Sequence, residues 1–230
     1  MIKLKRIIPE ALYKKIIKLF DSYINDFKNL SYSQEGEDLV LKRFFDNKKT
    51  GFYVDVGAHH PKRFSNTFLF YKMGWKGINI EPRPGSKALF DKHRSKDINL
   101  EIPISNTQTE LNYYVFDDPA LNSFDIDLSN ERNKNTRYKI IDKLKLKTQR
   151  LDIVLDQFLP VNQKIDFLSV DVEGFDLNVL ESNNWDKYRP EIILCEEENF
   201  DFNNLEKSKL YDFMLSKKYR IIAKTVNSLF

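Results

Sequence analysis

Polar side chains, most of them carboxylates, lie where short apolar segments of this sequence end. These residues are Asp55, Glu81, Ser105, Asp171, Glu173, Glu196 and Glu197. In an open parallel sheet, ligands bind beyond the carboxyl ends of the strands, so we expect these side chains to share one edge of the sheet. Carboxylates there can accept hydrogen bonds from hydroxyls, take up protons or bind a divalent cation.

The first of these segments ends in the turn Asp55-Val56-Gly57-Ala58, and the next ends at Glu81. A glycine permits a tight turn and a close approach of a ligand, and an acidic residue after the next strand can accept both hydroxyls of a ribose. This arrangement suits NAD and S-adenosylmethionine alike. A dinucleotide fingerprint needs three glycines, and this turn has one, so it favours a small cationic ligand with a carboxylate tail.

Alternating apolar segments indicate the elements that position these residues. Strands are predicted at 52–56, 77–81, 100–104, 111–116, 144–148, 165–170 and 191–195, with helices between them and a final strand pair at 219–230. The alternation predicts a doubly wound, mainly parallel α/β sheet. Residues 117–137 are polar and lack periodicity, so we expect a long loop that covers the acceptor site. Its Arg132, Lys134 and Arg137 can meet a phosphate or carboxylate of the acceptor.

Residues 1–30 are predicted to form an N-terminal helical extension, and residues 31–230 a single domain. Apolar residues recur near helical spacing at Leu12, Ile16 and Leu19. We expect this helix to pack on the main domain or on a second copy of the chain, which makes it a candidate homo-oligomer contact. A basic amphipathic helix on a membrane surface is the alternative.

The composition excludes several classes of protein. Lys and Arg number 37 and Asp and Glu 34, and the net charge of +3 is spread along the chain, so we expect no nucleic-acid partner. Cys195 is the only cysteine, which excludes a disulfide within the chain. Lysines interrupt every candidate signal peptide, and no window has the length of a membrane span. We therefore expect a cytoplasmic protein without a transmembrane segment.

Five segments, taken in order, resemble the FkbM-type S-adenosylmethionine-dependent methyltransferases. They are SQEGEDLVL at 33–41, GFYVDVGAHHP at 51–61, SNTFLFYKMGWKGINIEP at 65–82, LDIVLDQF at 151–158 and FLSVDVEGFDLNVL at 167–180. The family is similar to class I methyltransferases, which have a Rossmann-like, seven-stranded sheet that binds S-adenosylmethionine. Its members commonly methylate hydroxyls of sugars, polysaccharides or secondary metabolites.

The resemblance implies roles for individual residues. Asp55 and Gly57, with Ala58, would border the methionine end of the cofactor, and Glu81, with Pro82, would bind its ribose. Ser105 and Asn106 would lie near the adenine. Asp171 would lie beside the methyl group and the acceptor. The implied reaction is methylation of a hydroxyl on a sugar, a nucleotide sugar or a surface-glycan precursor, as part of polysaccharide biosynthesis.

The residues leave two routes open for the proton of that hydroxyl. A general base can take it, with Asp171 and His59 as the main candidates. Alternatively, a divalent cation such as Mg²⁺ or Mn²⁺ can lower its pKa, and Asp171, Glu173 and Glu197 are the predicted ligands. Side chains alternate along a strand, so the run Glu196–Glu198 cannot all point into one site.

Two other functions compete with methyl transfer. The same fold can carry a nicotinamide-dependent oxidoreductase, although the single-glycine turn argues against it. It can also carry a non-catalytic binding module that docks through the N-terminal helix. Cofactor titration separates the three.

Overall fold

The computed structural model describes residues 9–23, 28–46, 48–198 and 200–230. We number its elements in chain order. The strands are β1 (Phe52–Val56), β2 (Lys76–Ile80), β3 (Ile98–Leu100), β4 (Glu110–Phe116), β5 (Ile140–Lys147), β6 (Phe167–Val170), β7 (Ile192–Glu196) and β8 (Ser228–Leu229). The α-helices are α1 (Glu10–Tyr23), α2 (Glu37–Phe44), α3 (Phe68–Lys72), α4 (Ser86–His93), α5 (Ile126–Asn135), α6 (Leu151–Phe158), α7 (Asp176–Glu181) and α8 (Lys209–Ser216).

The chain forms two compact units, Met1–Leu30 and Ser31–Phe230. Helix α1 is the described element of the first unit. The rest of the predicted extension, at 1–8 and 24–27, lies outside the described residues, so the extension and its role stay predictions. Among the described residues, no helix combines the length and apolar character that a membrane span requires.

A six-stranded sheet forms the centre of the second unit, in the order β3-β2-β1-β6-β7-β8. The first five strands are parallel, and β8 pairs antiparallel with β7. From β1 the chain moves to one side through β2 and β3 and later returns to the other side through β6 and β7. The predicted mixed α/β fold with a mainly parallel central sheet is confirmed.

Both faces of this sheet are covered, as its apolar strands require. Phe52, Val54 and Val56 pack into one core, which also contains Leu155 of α6 and Leu180 of α7. The alternate residues of the same strands belong to a second core on the opposite face. Its members include Tyr53, Phe167, Leu41 of α2, Phe70 of α3 and Trp75. The two cores fix the register of β1 and β6, and so fix where the polar residues at their ends lie.

The structure corrects three details of the predicted fold. The strand expected at 100–104 occupies Ile98–Leu100 instead. Strands β4 and β5 form a separate two-stranded antiparallel sheet, so the described residues give the central sheet six strands and not the seven that the resemblance implied. The loop expected at 117–137 contains a short 3₁₀ helix, Pro119–Leu121, and the ten-residue α5.

Candidate active site

A pocket lies beyond the carboxyl ends of β1, β2 and β6, which are neighbours in the central sheet. Residues that follow β1 line it (Gly57, Ala58 and His59), and so do Glu81 and Pro82 after β2. Asp55 within β1, and Asp171 to Glu173 after β6, complete this part of the wall. The chain reverses its direction of winding at β1, so the pocket occupies the position where ligands bind in open α/β sheets.

The turn after β1 is held by close backbone packing. Gly57 has a φ of 81°, and a Cβ built on it would lie 1.7 Å from the carbonyl oxygen of Asp171. The backbone N–H groups of Gly57 and Ala58 both donate to the carbonyl of Ile80, at 2.9 and 3.1 Å. We expected Gly57 to permit a tight turn and the close approach of a ligand, and in the structure the chain segment after β6 makes that close approach.

Glu81 presents a buried, fixed carboxylate to the pocket. Its Oε2 accepts a hydrogen bond from the backbone N–H of His59 at 2.8 Å, and its Oε1 accepts one from the N–H of Arg83 at 3.0 Å. Burial raises the pKa of Glu81, and these two hydrogen bonds oppose the rise. Each carboxylate oxygen keeps further acceptor capacity, so Glu81 can still receive two hydroxyls.

Asp55 lies beneath the turn and belongs to a buried network. Its Oδ2 accepts a hydrogen bond from Thr67 Oγ1 at 2.8 Å, and burial raises its pKa. Thr67 in turn accepts from Nη2 of Arg94 at 3.1 Å. The guanidinium of Arg94 is fully buried, and its other partners are Tyr53, Pro61, Asn79 and Asp97. This network fixes the position of Asp55 from behind the pocket.

Three carboxylates come together at the end of β6. Asp171, Glu173 and Glu196 each offer an oxygen, and these oxygens lie within 4.8 Å of one another. Burial and the neighbouring negative charges raise the pKa of Asp171 well above its usual value, and the same causes raise that of Glu196 to about 8. Because these three carboxylates repel one another, they readily bind a proton or a cation.

Glu196 takes the place that we predicted for Glu197. The Glu197 carboxylate accepts a hydrogen bond from Ser208 Oγ at 2.8 Å, at the start of α8, while Glu196 joins Asp171 and Glu173. Neighbouring side chains at a strand end point to opposite sides, so Glu196 and not Glu197 lies beside Asp171 and Glu173.

Arg132 of α5 reaches the same group. Its Nη1 lies 2.5 Å from Oε2 of Glu173, and its Nη2 lies 3.7 Å from Oε1 of Glu198. The pKa of Glu173 is raised by burial, and Arg132 opposes that rise. We expected Arg132 to meet an anionic group of the acceptor, but it is engaged by carboxylates of the protein. Lys134 and Arg137 are exposed.

The two histidines after Ala58 have different environments. His59 lines the pocket with a positive φ of 49°, and burial, together with the nearby charges of Arg83 and His60, lowers its pKa to about 4. Its ring is therefore neutral at neutral pH. His60 Nδ1 accepts hydrogen bonds from the backbone N–H groups of Lys62 and Arg63 at 3.1 and 3.0 Å, and so it stabilises the loop.

Ser105 and Asn106, expected near an adenine, do not line the pocket. Ser105 is buried, and its backbone N–H donates to the carbonyl of Gln149 at 2.9 Å. Asn106 donates its side-chain amide to Oε2 of Glu181 in α7 at 2.7 Å. Both residues support the junction of β3 with α6 and α7, and their role toward a cofactor stays a prediction.

One wall of the pocket is formed by Tyr113 of β4 and by the segment before α5, through Pro119, Ala120, Asn122 and Phe124. This segment belongs to residues 117–137, which we expected to cover the acceptor site, whereas the sequence did not single out Tyr113. The rings of Tyr113 and Phe124 have centroids 4.8 Å apart. Ser123 Oγ donates to the carbonyl of Glu173 at 2.7 Å, so this wall is fastened to the loop after β6. Gln34 and Asn66 add two amide side chains to the lining.

The fold and the pocket define a mainly parallel α/β protein whose acidic ligand site lies at the point where the winding of the sheet reverses. The family model for the methyltransferase FkbM domain matches residues 55–221, which is more than half of the chain. The chain belongs to the FkbM methyltransferase family, and the resemblance drawn from its sequence is confirmed. No curated protein and no solved structure matches this chain.

Proposed function

We propose that this chain transfers a methyl group from S-adenosylmethionine to a hydroxyl of a sugar, a nucleotide sugar or a surface-glycan precursor. Methyltransferases generally use this cofactor, and the chain belongs to one of their families. The observation that carries the proposal is the buried carboxylate of Glu81, fixed at the end of β2 and facing the pocket. A nicotinamide-dependent oxidoreductase could use the same carboxylate, and the family match is what favours methyl transfer over it and over a binding module.

The pocket residues fit S-adenosylmethionine. The cofactor carries a sulfonium and an ammonium, and the lining contributes the carboxyl groups of Asp55, Glu81, Asp171 and Glu173. In this proposal Glu81 accepts the ribose hydroxyls. The cofactor supplies an electrophilic methyl group, and the chain has to orient the acceptor and to receive its proton.

Asp171 is the proposed proton acceptor. Its carboxyl group lines the pocket and has a raised pKa, so as a carboxylate it binds a proton more readily than an ordinary aspartate does. The hydroxyl oxygen of the acceptor forms its bond to the methyl group while its proton moves to a carboxylate oxygen of Asp171. His59 is the second candidate, but its low pKa makes it a weaker base.

A divalent cation offers the alternative route for the proton. Asp171, Glu173 and Glu196 can supply three oxygens to Mg²⁺ or Mn²⁺. Arg132 already places a positive charge against Glu173, which reduces the need for a cation there.

Cofactor binding tests the proposal directly. Titration calorimetry with S-adenosylhomocysteine should show saturable binding to the wild type, and Glu81→Gln should weaken it by roughly ten- to a hundredfold because a charged hydrogen-bond acceptor is lost. Glu101→Gln is a matched control, since the Glu101 carboxylate also accepts two backbone N–H groups, those of Gly85 and Lys87, but does not line the pocket. A folded wild type that binds no S-adenosylhomocysteine would overturn the proposal.

Turnover separates the two proton routes. Asp171→Asn should lower kcat by about a hundredfold or more while the affinity for S-adenosylhomocysteine is kept, because the substitution removes the proton acceptor and preserves the shape. Excess chelator should leave the wild-type rate unchanged if Asp171 acts as the base. Loss of activity in chelator, restored by Mg²⁺ or Mn²⁺, would assign Asp171 to a cation site instead. Wild-type turnover of Asp171→Asn would exclude both roles.

We also propose that the chain acts in the cytoplasm and that α1 contacts a second copy. Leu12 and Ile16 of α1 are exposed and recur at helical spacing, as a helix–helix contact requires. Light scattering should therefore report a dimer, and Ile16→Lys should give a monomer. A monomeric wild type would remove the oligomer proposal without affecting methyl transfer.

A further inference from the structure

A second cavity lies between β7, α8 and the chain segment after α8. Its volume is about 450 Å³. Buried apolar side chains form its walls, among them Ile193 and Cys195 of β7, Leu210 and Met214 of α8, and Leu229 of β8. None of these residues lines the candidate active site.

This cavity opens to solvent on one side and lies within the size range of ligand sites. An apolar cavity of about 150 Å³ is large enough to bind benzene, and ligand sites span about 300 to 1,000 Å³. In proportion, this cavity can hold a chain of roughly 15 to 20 carbon atoms.

Basic side chains surround the mouth of the cavity. Arg189, Lys218 and Arg220 belong to its lining, and Glu191 is the one acidic member. Among the residues that the structure describes, none of the three cations has a carboxylate within salt-bridge distance. The mouth therefore offers an excess of positive charge to an incoming anionic group.

Arg189 is held in place without an acidic partner. Its Nη2 donates to the carbonyl of Lys217 at 2.8 Å, and its guanidinium lies 4.6 Å from the centroid of the Tyr219 ring. The Tyr219 hydroxyl donates in turn to the carbonyl of Pro190 at 2.6 Å. A cation fixed in this way loses little entropy when it meets an anion.

The mouth lies at the edge of the sheet opposite to the candidate active site. Arg189 and Glu191 precede β7, whereas Asp171 follows β6, and the two strands run parallel. An occupant of this cavity is thus a separate ligand, and neither the cofactor nor the methyl acceptor.

We propose that this cavity binds a single-chain anionic amphiphile, such as a long-chain fatty acid, as a monomer. The hydrocarbon chain lies between β7 and α8, and the head group meets Arg189, Lys218 and Arg220. The apolar walls suit the hydrocarbon chain, and the three cations, which have no acidic partner among the described residues, suit the anionic head group. The site is independent of the proposed methyl transfer.

The full-length protein should bind the fluorescent fatty acid cis-parinaric acid saturably, and palmitate should displace it. Affinity should rise from octanoate to palmitate, by up to about fourfold for each added methylene, because each one buries apolar surface. Met214→Phe reduces the cavity volume and should weaken the binding of palmitate more than the binding of octanoate. An affinity that does not depend on chain length would overturn the proposal.

Charge reversal at exposed positions tests whether the cations at the mouth bind the head group. Lys218→Glu with Arg220→Glu should raise the Kd of parinaric acid by about tenfold or more, since charge-assisted contacts are replaced by repulsion. Lys145→Glu with Lys147→Glu, exposed on β5, changes the net charge equally and should leave the Kd within twofold. The proposal fails if both pairs behave alike, if the folded wild type binds no parinaric acid, or if binding occurs only to phosphatidylglycerol vesicles.

Discussion

Gly57 has no side chain, and this allows the segment after β6 to pack directly against the turn after β1 and so to form the pocket. Asp171 is one residue beyond β6, and its carbonyl occupies the space that a side chain at position 57 would need. The positions of Asp55 and Asp171 are therefore coupled through backbone contact. A change at this glycine should act on stability and on the site together.

Gly57→Ala should lower the free energy of unfolding by about 3 kcal/mol or more, since a positive φ and a backbone clash are imposed together. Gly74→Ala is the matched control: Gly74 also has a positive φ, of 98°, but no atom lies within 4 Å of the added Cβ. We expect Gly74→Ala to cost only about 1 kcal/mol. Urea unfolding of both variants measures the difference, and equal losses would show that the clash is relieved at little cost.

His59 should make stability depend on pH. Its pKa is about 4 in the folded chain and 6.5 ordinarily, so the native state favours the neutral ring. As the pH falls from about 6.5 to 4, the unfolded chain gains a proton that the native chain does not, and the wild type should lose about 2 to 3 kcal/mol from this residue.

His59→Asn should lack this pH-dependent loss of stability. Its stability relative to the wild type should therefore increase as the pH falls from about 6.5 to 4. Urea unfolding at pH 7.5 and pH 4.5 gives the comparison. His93→Asn is the control, because His93 is only partly buried and does not line the pocket, so its pH profile should stay much closer to that of the wild type. A parallel profile for His59→Asn would contradict the burial of its ring.

The carboxylates of the site show what a sequence can and cannot predict at this scale. Asp55, Glu81 and Asp171 were predicted because each ends a clear apolar segment, and parallel strands bring such ends together. The choice between Glu196 and Glu197 depends on which way the strand is turned as it leaves the sheet. The alternation of side chains along a strand establishes only that Glu196 and Glu197 point to opposite sides, so the sequence could not show which of them faces the site.

Among the elements, the region between β4 and β5 departs most from its prediction. Helix α5 buries only Ser129 completely and carries charged and amide side chains along most of its length. Without an apolar stripe it has no periodicity to detect, and we predicted a loop. The one local signal was Asp125, which caps the helix by accepting a hydrogen bond from the N–H of Leu128 at 2.9 Å.

Asp125→Ala should therefore destabilise α5 by about 1 kcal/mol, because the cap satisfies an N–H that has no partner within the helix. Hydrogen exchange of the α5 amides should become faster as a result. Asp127→Ala, two residues further on and exposed, removes the same charge without removing the cap, and should have a smaller effect. Equal exchange rates in the two variants would mean that contacts such as Arg132 with Glu173, rather than the cap, hold α5.

For the whole molecule, strand and helix alternation was enough to predict a mainly parallel α/β fold. The strand order was not available from the alternation, because every order of parallel strands gives the same pattern along the chain. The separation of β4 and β5 from the central sheet was missed for a similar reason. Their alternation of apolar and polar residues predicts strands but does not identify the partner of each.

The Arg94 network also bears on how the protein is made. All five partners of Arg94 lie between Tyr53 and Asp97, so β1, β2 and β3 can assemble on a nascent chain before β6 has left the ribosome. During that interval β1 is an open edge, since its second neighbour in the finished sheet is β6. Open apolar edges invite pairing with other chains. Biosynthesis of this protein should thus pass through a stage at which Phe52–Val56 can pair with another chain.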